Sequence, residues 1–306
     1  MCKIAYLFPG QASQYVGMGN DLYNTVDDVA KLYDFAETLF NFSLKNISFF
    51  GPLQDLTQTK VTQPAIFVNS VAIYNELKKK GFQPDMVAGH SLGEYSALVS
   101  AGVLSFEDGL KLVKVRSEQM QLATESSDGT MAAIIGLTFE QVNNVITDSG
   151  ISGVCQIANY NSPKQIVISG SVPAVQSMMM ELKNFGAKRA IELPVGGAFH
   201  SQLMESAREK LQDVLDKTKF NKPICPIYSN VTGTATVNPE EIKSRLNAQL
   251  TDPVLWVDTL KNMISEGVKK FIEVGPGNVL QGLVKRIDRA IDTETISTLD
   301  DLEKKQ

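Results

Sequence analysis

Short apolar runs and stretches of helical spacing take turns along this chain. The run Ile4–Phe8 follows Lys3 and stops at Pro9-Gly10, a breaker pair, which predicts a short buried strand over residues 3–8 and then a loop reaching Gly19. Helical patterns follow over Leu22–Leu39 and over Thr62–Lys79, the latter with Ala65, Ile66, Val68, Val71, Ala72 and Leu77 as its apolar positions. A second short strand, Asp85–Ala88, runs directly into Gly89-His90-Ser91, and a helix of small residues, Leu92–Ala101, leaves it. A further helix begins at Ser105, with Asp108 completing a capping box, and runs through Arg116 to about Leu122. Strands that alternate with helices imply a mostly parallel sheet covered on both faces.

From Gly129 the order of elements changes. Thr130–Ile135, Val154–Ala158, Gln165–Ser169 and Arg189–Leu193 read as strands, with helices at Thr138–Thr147 and at Val172–Asn184 before Gly186. This β-α-β-β-α-β order is the ferredoxin-like split unit. It predicts a small domain over residues 129–194, inserted into a large α/β domain made of 1–128 and 195–306. After it the alternation resumes with helix Leu203–Lys217, strand Pro226–Asn230, helices Pro239–Gln249 and Trp256–Glu266, strand Lys270–Val274 and helix Val279–Asp288. Gly275-Pro276-Gly277 forces a sharp turn between the last two. Residues 291–306 are polar and are expected to fray.

Composition narrows the function classes. A chain of 306 residues with 43% hydrophobic and 21% charged residues buries a real core. A net charge of −5 argues against a nucleic-acid binder. Cys2, Cys155 and Cys225 are far apart and odd in number, a pattern of a reducing compartment with no thiol metal site. The apolar run near the N-terminus is too short for a signal peptide, and no stretch approaches a membrane span, so the expectation is a cytoplasmic protein without a membrane partner. Only His90 and His200 can supply an imidazole, which excludes a three-histidine metal site.

The candidate chemistry centres on Gly89-His90-Ser91-Leu92-Gly93, a G-x-S-x-G motif with a strand before it and a helix after it. In such an elbow the serine hydroxyl projects from a tight turn, and the next backbone N–H, here that of Leu92, lies at a helix N-terminus suited to a developing oxyanion. Glu94 falls in the first turn of that helix, where it would complement the helix dipole. A serine needs an adjacent base. The His90 side chain should point away from that of Ser91, which leaves His200. The order Ser…Asp/Glu…His of ordinary α/β-hydrolases fits poorly, because about a third of the chain follows His200.

Several separated motifs carry a resemblance over roughly residues 4–290. They are Phe8-Pro9-Gly10-Gln11, Gly89-His90-Ser91-Leu92-Gly93-Glu94, Arg116 with Met120, Ala198-Phe199-His200-Ser201, Gln249 before Pro253, and Glu273-Val274-Gly275-Pro276-Gly277. The chain resembles the malonyl-CoA:acyl carrier protein transacylases and the related acyltransferase domains of polyketide synthases. That resemblance implies an α/β-hydrolase-like large domain with an inserted ferredoxin-like small domain.

It further implies a Ser91–His200 dyad with His200 oriented by the Gln249 carbonyl, and an oxyanion hole made of the Gln11 and Leu92 N–H groups. Arg116 would pair with the malonyl carboxylate, a task suited to a planar guanidinium; read without the resemblance, it is an arginine on the surface of an amphipathic helix. Phe199 resembles the malonyl-selective pattern. Asn159 and Asn161 resemble positions that touch the acyl or pantetheine chain; read alone, they are turn residues between two strands.

One position departs from the family, whose loop reads Gly-Gln-Gly-Ser-Gln where this chain has Gly10-Gln11-Ala12-Ser13-Gln14. Alanine there strains the loop if φ is positive and is silent otherwise. The implied reaction moves malonyl from malonyl-CoA to the phosphopantetheine thiol of an acyl carrier protein in fatty-acid or polyketide synthesis, with no metal or organic cofactor. Lys188-Arg189 and Lys285-Arg286 are candidate docking pairs for that acidic partner. A same-fold hydrolase that clears carrier-protein thioesters, and a non-catalytic protein that docks carrier proteins, are the alternatives.

Overall fold

The computed structural model describes residues 3–305, so Cys2 lies outside the described residues. Ten strands are present among the described residues: β1 (Lys3–Phe8), β2 (Met86–Gly89), β3 (Gly129–Ile135), β4 (Cys155–Ser162), β5 (Gln165–Ser171), β6 (Arg189–Glu192), β7 (Ile227–Tyr228), β8 (Ala235–Thr236), β9 (Val268–Val274) and β10 (Asp292–Ile296). They form two sheets, one ordered β10-β9-β1-β2-β7-β8 and the other β4-β5-β3-β6. The first is parallel except for the short β7–β8 pair, and the second is antiparallel throughout.

The period of two along β1 explains why the first sheet is covered on both faces. Tyr6 and Phe8 join a cluster with the long helices Thr59–Lys79 and Phe106–Ser126. Ala5 and Leu7 point the other way, onto Trp256, Leu260 and Leu283. The first of those helices is buried nearly all round, so its apolar residues show no clean stripe. In the second sheet Ala132, Ile134, Ile166 and Ile168 face Val142, Val175 and Leu182 of its two helices. Its opposite face presents Met131 and Val167 to the main core. Backbone bonds tie the second sheet to the segment before helix Trp256–Ser265: Tyr160 N–H donates to the Val254 carbonyl and Val254 N–H to that of Ala158, at 2.9 and 2.8 Å.

Three expectations need correction. Leu22–Leu39 is two helices, Asn20–Thr25 and Asp27–Glu37, because Val26 between them is extended (φ −118°, ψ 106°). Residues 291–306 do not fray over their described part: β10 pairs with β9, and helix Leu299–Glu303 starts at a Thr298–Asp301 capping box. Ile291, Ile296 and Leu302 are the buried anchors that their polar neighbours obscured. Finally, β4 extends to Ser162, so Asn159 and Asn161 are strand residues and not turn residues. The Ser105 side chain accepts the Asp108 N–H, one half of the expected capping box, and the helix runs on to Ser126.

Candidate active site

The elbow is built by close backbone approach. A Cβ at Gly89 would collide with the Gly93 carbonyl, and one at Gly93 with the Phe8 carbonyl, so neither position admits a side chain. This brings β2, the elbow and the N-terminus of helix Gly93–Ser100 against the end of β1. Ser91 itself has φ +51°. His200 (φ +56°) and Ala12 (φ +82°) are the other two non-glycine residues with positive φ among the described residues, and all three line one cleft. Such conformations cost about 1–3 kcal/mol each, and persist where the surrounding fold enforces them. The open question at position 12 is thereby answered: the backbone there is left-handed, and alanine bears the strain that glycine would avoid.

Ser91, His200 and Arg116 converge on one hydroxyl. Ser91 Oγ lies 2.8 Å from His200 Nε2 and accepts a hydrogen bond from Arg116 Nη2 at 3.0 Å. His200 Nδ1 is 2.7 Å from the Gln249 carbonyl oxygen, which makes Nδ1 the protonated nitrogen and leaves Nε2 free to accept. Burial, and then the Arg116 cation, push the imidazole down to about 3, so it stands neutral with Nε2 unprotonated.

Arg116 is no surface residue: it is 1% exposed, on the inner side of helix Phe106–Ser126. Its Nη1 donates to Gln63 Oε1 at 2.6 Å and its Nη2 to Gln249 Oε1 at 3.1 Å. No carboxylate forms a salt bridge with it among the described residues.

Two residues here escaped the sequence reading, and a third has surroundings that it did not foresee. Gln63 stands in a helix that is buried nearly all round, and an amide within such a stretch is a signal that could have marked it. Asn230 had no signal at all: its Oδ1 accepts the Ser91 N–H at 2.7 Å, and its Nδ2 donates to the Gly89 carbonyl at 2.6 Å. Glu94 is the third: it lies in the first turn of its helix, as expected, and it is also 2% exposed, accepting from Gln249 Nε2 at 2.6 Å and from the Asn230 N–H at 3.3 Å.

The remaining candidates line the same cleft, which encloses about 270 Å³. Gln11 and Leu92 are at its wall, and neither backbone N–H has an acceptor among the described residues. Phe199, Met120 and Met131 supply apolar lining, and Asn159 and Asn161 reach it from β4. His90 does turn away from the Ser91 hydroxyl: its Nε2 is 2.8 Å from Asn161 Oδ1, and its ring meets Trp256 edge-on. No group of three or more His, Cys, Asp or Glu side chains able to hold a metal ion occurs among the described residues.

Beside the cleft, and sharing Ala133, Gln165 and Leu193 with it, opens a groove of about 890 Å³. Lys164, Lys188 and Arg189 come to it from the second sheet and its turns, and Lys285, Arg286 and Arg289 from helix Val279–Ile287 and the turn after it. The two basic pairs singled out by sequence thus face each other across one groove. Arg286 Nη1 donates to Gln165 Oε1 over it. No helix among the described residues is long and apolar enough to cross a membrane.

Comparison with known proteins gives a consistent picture. A family model described as an acyl transferase domain matches residues 5–305. The malonyl CoA-acyl carrier protein transacylase of Bacillus subtilis (strain 168) is 44% identical, over 99% of this chain and 96% of that one. Among solved structures, an acyl carrier protein S-malonyltransferase from Vibrio cholerae superposes with a TM-score of 0.95 at 41% identity, covering 99% of this chain and 100% of that one. A malonyl-transacylase solved in complex with a type II polyketide synthase acyl-carrier protein superposes at 0.93 with 37% identity, covering 98% of each.

Proposed function

The chain belongs to the acyl transferase family, and from that premise we propose that it transfers malonyl from malonyl-CoA to the phosphopantetheine thiol of an acyl carrier protein by way of a Ser91 ester. The observation that carries the reading is the convergence of a neutral imidazole and a buried guanidinium on the Ser91 hydroxyl, at 2.8 and 3.0 Å. In the first half, Ser91 Oγ bonds to the thioester carbon as its proton passes to His200 Nε2. The resulting oxyanion takes hydrogen bonds from the Gln11 and Leu92 N–H groups. As it collapses, the carbon–sulfur bond breaks and the coenzyme A thiolate takes the proton from His200. In the second half the carrier's thiol gives its proton to His200 and attacks the ester, and Ser91 leaves with that proton.

Arg116 selects the acyl group. Its guanidinium is held by neutral acceptors alone, Gln63, Gln249 and Ser91, so its charge is unspent until a malonyl carboxylate arrives. A hydrolase that clears uncharged chains has no use for such a cation. Phe199 bounds the acyl pocket, and Asn159 and Asn161 line the path of the pantetheine arm. The reaction as written needs no metal or organic cofactor. The acidic carrier docks in the basic groove, from which its arm enters the cleft. The carrier is one of fatty-acid or polyketide synthesis, and the reaction belongs to the cytoplasm.

The test is covalent labelling. Incubated with malonyl-CoA, the wild-type protein is expected to gain one malonyl group by intact mass and to lose it on addition of the thiol-bearing carrier protein. Ser91→Ala is expected to gain none, and a Ser91→Ala protein that still labels would sink the assignment.

A further inference from the structure

Behind the residues assigned to transfer lies a second polar layer, and Glu94 is its centre. Two arms leave this carboxylate, and both end at the reacting groups. One runs through the Gln249 side chain, whose Nε2 donates to Glu94 at 2.6 Å and to the Ser91 carbonyl at 3.0 Å, while its Oε1 accepts from Arg116. The same residue's backbone carbonyl holds His200 Nδ1. The other arm runs through Asn230, whose N–H donates to Glu94 and whose side chain grips the Ser91 N–H and the Gly89 carbonyl.

The chemistry of these contacts allows one arrangement. A carboxylate and a peptide carbonyl can only accept, and a guanidinium can only donate, so the amide nitrogen of Gln249 must face Glu94 and its oxygen must face Arg116. A flipped amide would set oxygen against oxygen on one side and donor against donor on the other. Glu94 also answers a charge problem. A buried guanidinium without an anion is costly, yet a carboxylate in direct contact would occupy the place of the substrate. One amide's width away, Glu94 favours the Arg116 cation without capping it. Burial lifts the Glu94 carboxyl to about 7, against the pull of Gln249, Asn230, Arg116 and Arg245, so the group is ionised in mildly basic solution.

We infer that Glu94 is a positioning residue of the transfer reaction: set behind Gln249 and Asn230, its carboxylate orients the amide that holds Arg116 and supplies that cation with a remote counter-charge that leaves it open to substrate. The inference rests on the roles proposed above for Ser91, His200 and Arg116. It predicts a particular split in kinetics. Without the anion, Arg116 meets the malonyl carboxylate with its charge undiminished, so substrate binding does not weaken. Gln249 and Asn230 lose the acceptor that orders them, so the His200 ring held by the Gln249 carbonyl and the Ser91 N–H held by Asn230 lose register and turnover slows.

The experiment assays Glu94→Gln and Glu94→Asp at pH 8 for malonyl transfer to a phosphopantetheinylated carrier protein, with malonyl-CoA varied and thermal melts run alongside. Glu94→Gln keeps the shape and one acceptor and loses the charge. It is expected to lower kcat by about tenfold or more, the scale of one lost charge-assisted contact, with KM for malonyl-CoA unchanged or lower. Glu94→Asp retains the charge and is expected to recover part of that kcat. A Glu94→Gln protein within about twofold of wild type overturns the inference, as does one whose KM rises while kcat stands. Where Glu94→Gln gives no cooperative melt, Glu94→Asp decides: lowered kcat at constant KM supports the role, and raised KM at constant kcat overturns it. A wild-type protein that takes up no malonyl group ends the underlying reading instead, however Glu94→Gln behaves.

Discussion

The serine cleft and the basic groove are neighbours that share three wall residues, yet they are organised on opposite principles. The cleft is narrow and desolvated, and its polar side chains are held one by another: Ser91 by Asn230, His200 by the Gln249 carbonyl, Arg116 by Gln63 and Gln249. The groove is more than three times as large and open, and its six cations come from segments far apart in sequence. In the cleft, position is everything, since a hydrogen bond weakens steeply with misalignment and an unpaired buried group is costly. In the groove only the sum of charge matters, because exposed cations act through a screened field on a whole partner surface. Single substitutions should therefore be severe in the first region and mild in the second.

That contrast can be broken at several depths. The largest effect is expected at the dyad: Ser91→Ala or His200→Ala should lower malonyl transfer by about 10⁴-fold or more, measured in single turnovers with malonyl-CoA. A residual rate within about tenfold of wild type for His200→Ala would remove it as the base. Next comes Arg116→Ala, expected to cost about 10²–10³ in kcat/KM for malonyl-CoA while acetyl-CoA turnover is kept or improved. Parallel losses on both thioesters would show that Arg116 supports the site without reading the carboxylate.

Asn230→Ala leaves the Ser91 N–H without its acceptor and is expected to destabilise the fold by about 1–3 kcal/mol and to slow transfer by about tenfold. Denaturant melts and kinetics together check this, and an unaltered rate would mean that the elbow holds its strained φ unaided. The smallest effect is expected in the groove. Arg286→Glu should raise KM for the carrier protein by a few fold, and the difference from wild type should shrink as salt is added. A loss there as large as that of Arg116→Ala would erase the contrast between the two regions.

Much of this architecture was legible beforehand because it rests on local rules. The buried run of β1, the switch to a split β-α-β-β-α-β unit and the elbow's flanking glycines each follow from neighbours in the chain. Misreadings arose where long-range packing overrode local pattern. Residues 291–305 look like a polar tail until β9 offers a parallel edge for Asp292–Ile296. Asn159 and Asn161 look like turn residues until Val254 pairs with their strand. Glu94 reads only as an acid complementing a helix dipole until Gln249 and Asn230 close over it.

The sequence by itself determined which groups could do chemistry. A G-x-S-x-G turn can hold only a backbone without side chains at its flanks, two histidines leave one base, and an arginine within a recognisable set of motifs narrows the acyl group. Tertiary structure alone decided what surrounds them: that Arg116 is buried without an anion at its side, that a glutamate stands one amide behind it, that position 12 is left-handed, and that two distant basic pairs share a groove. The physical reason is range. Turn geometry and helix caps are settled within a few residues, whereas desolvation and Coulomb energy depend on what other segments bring within a few ångströms, and no local pattern records that.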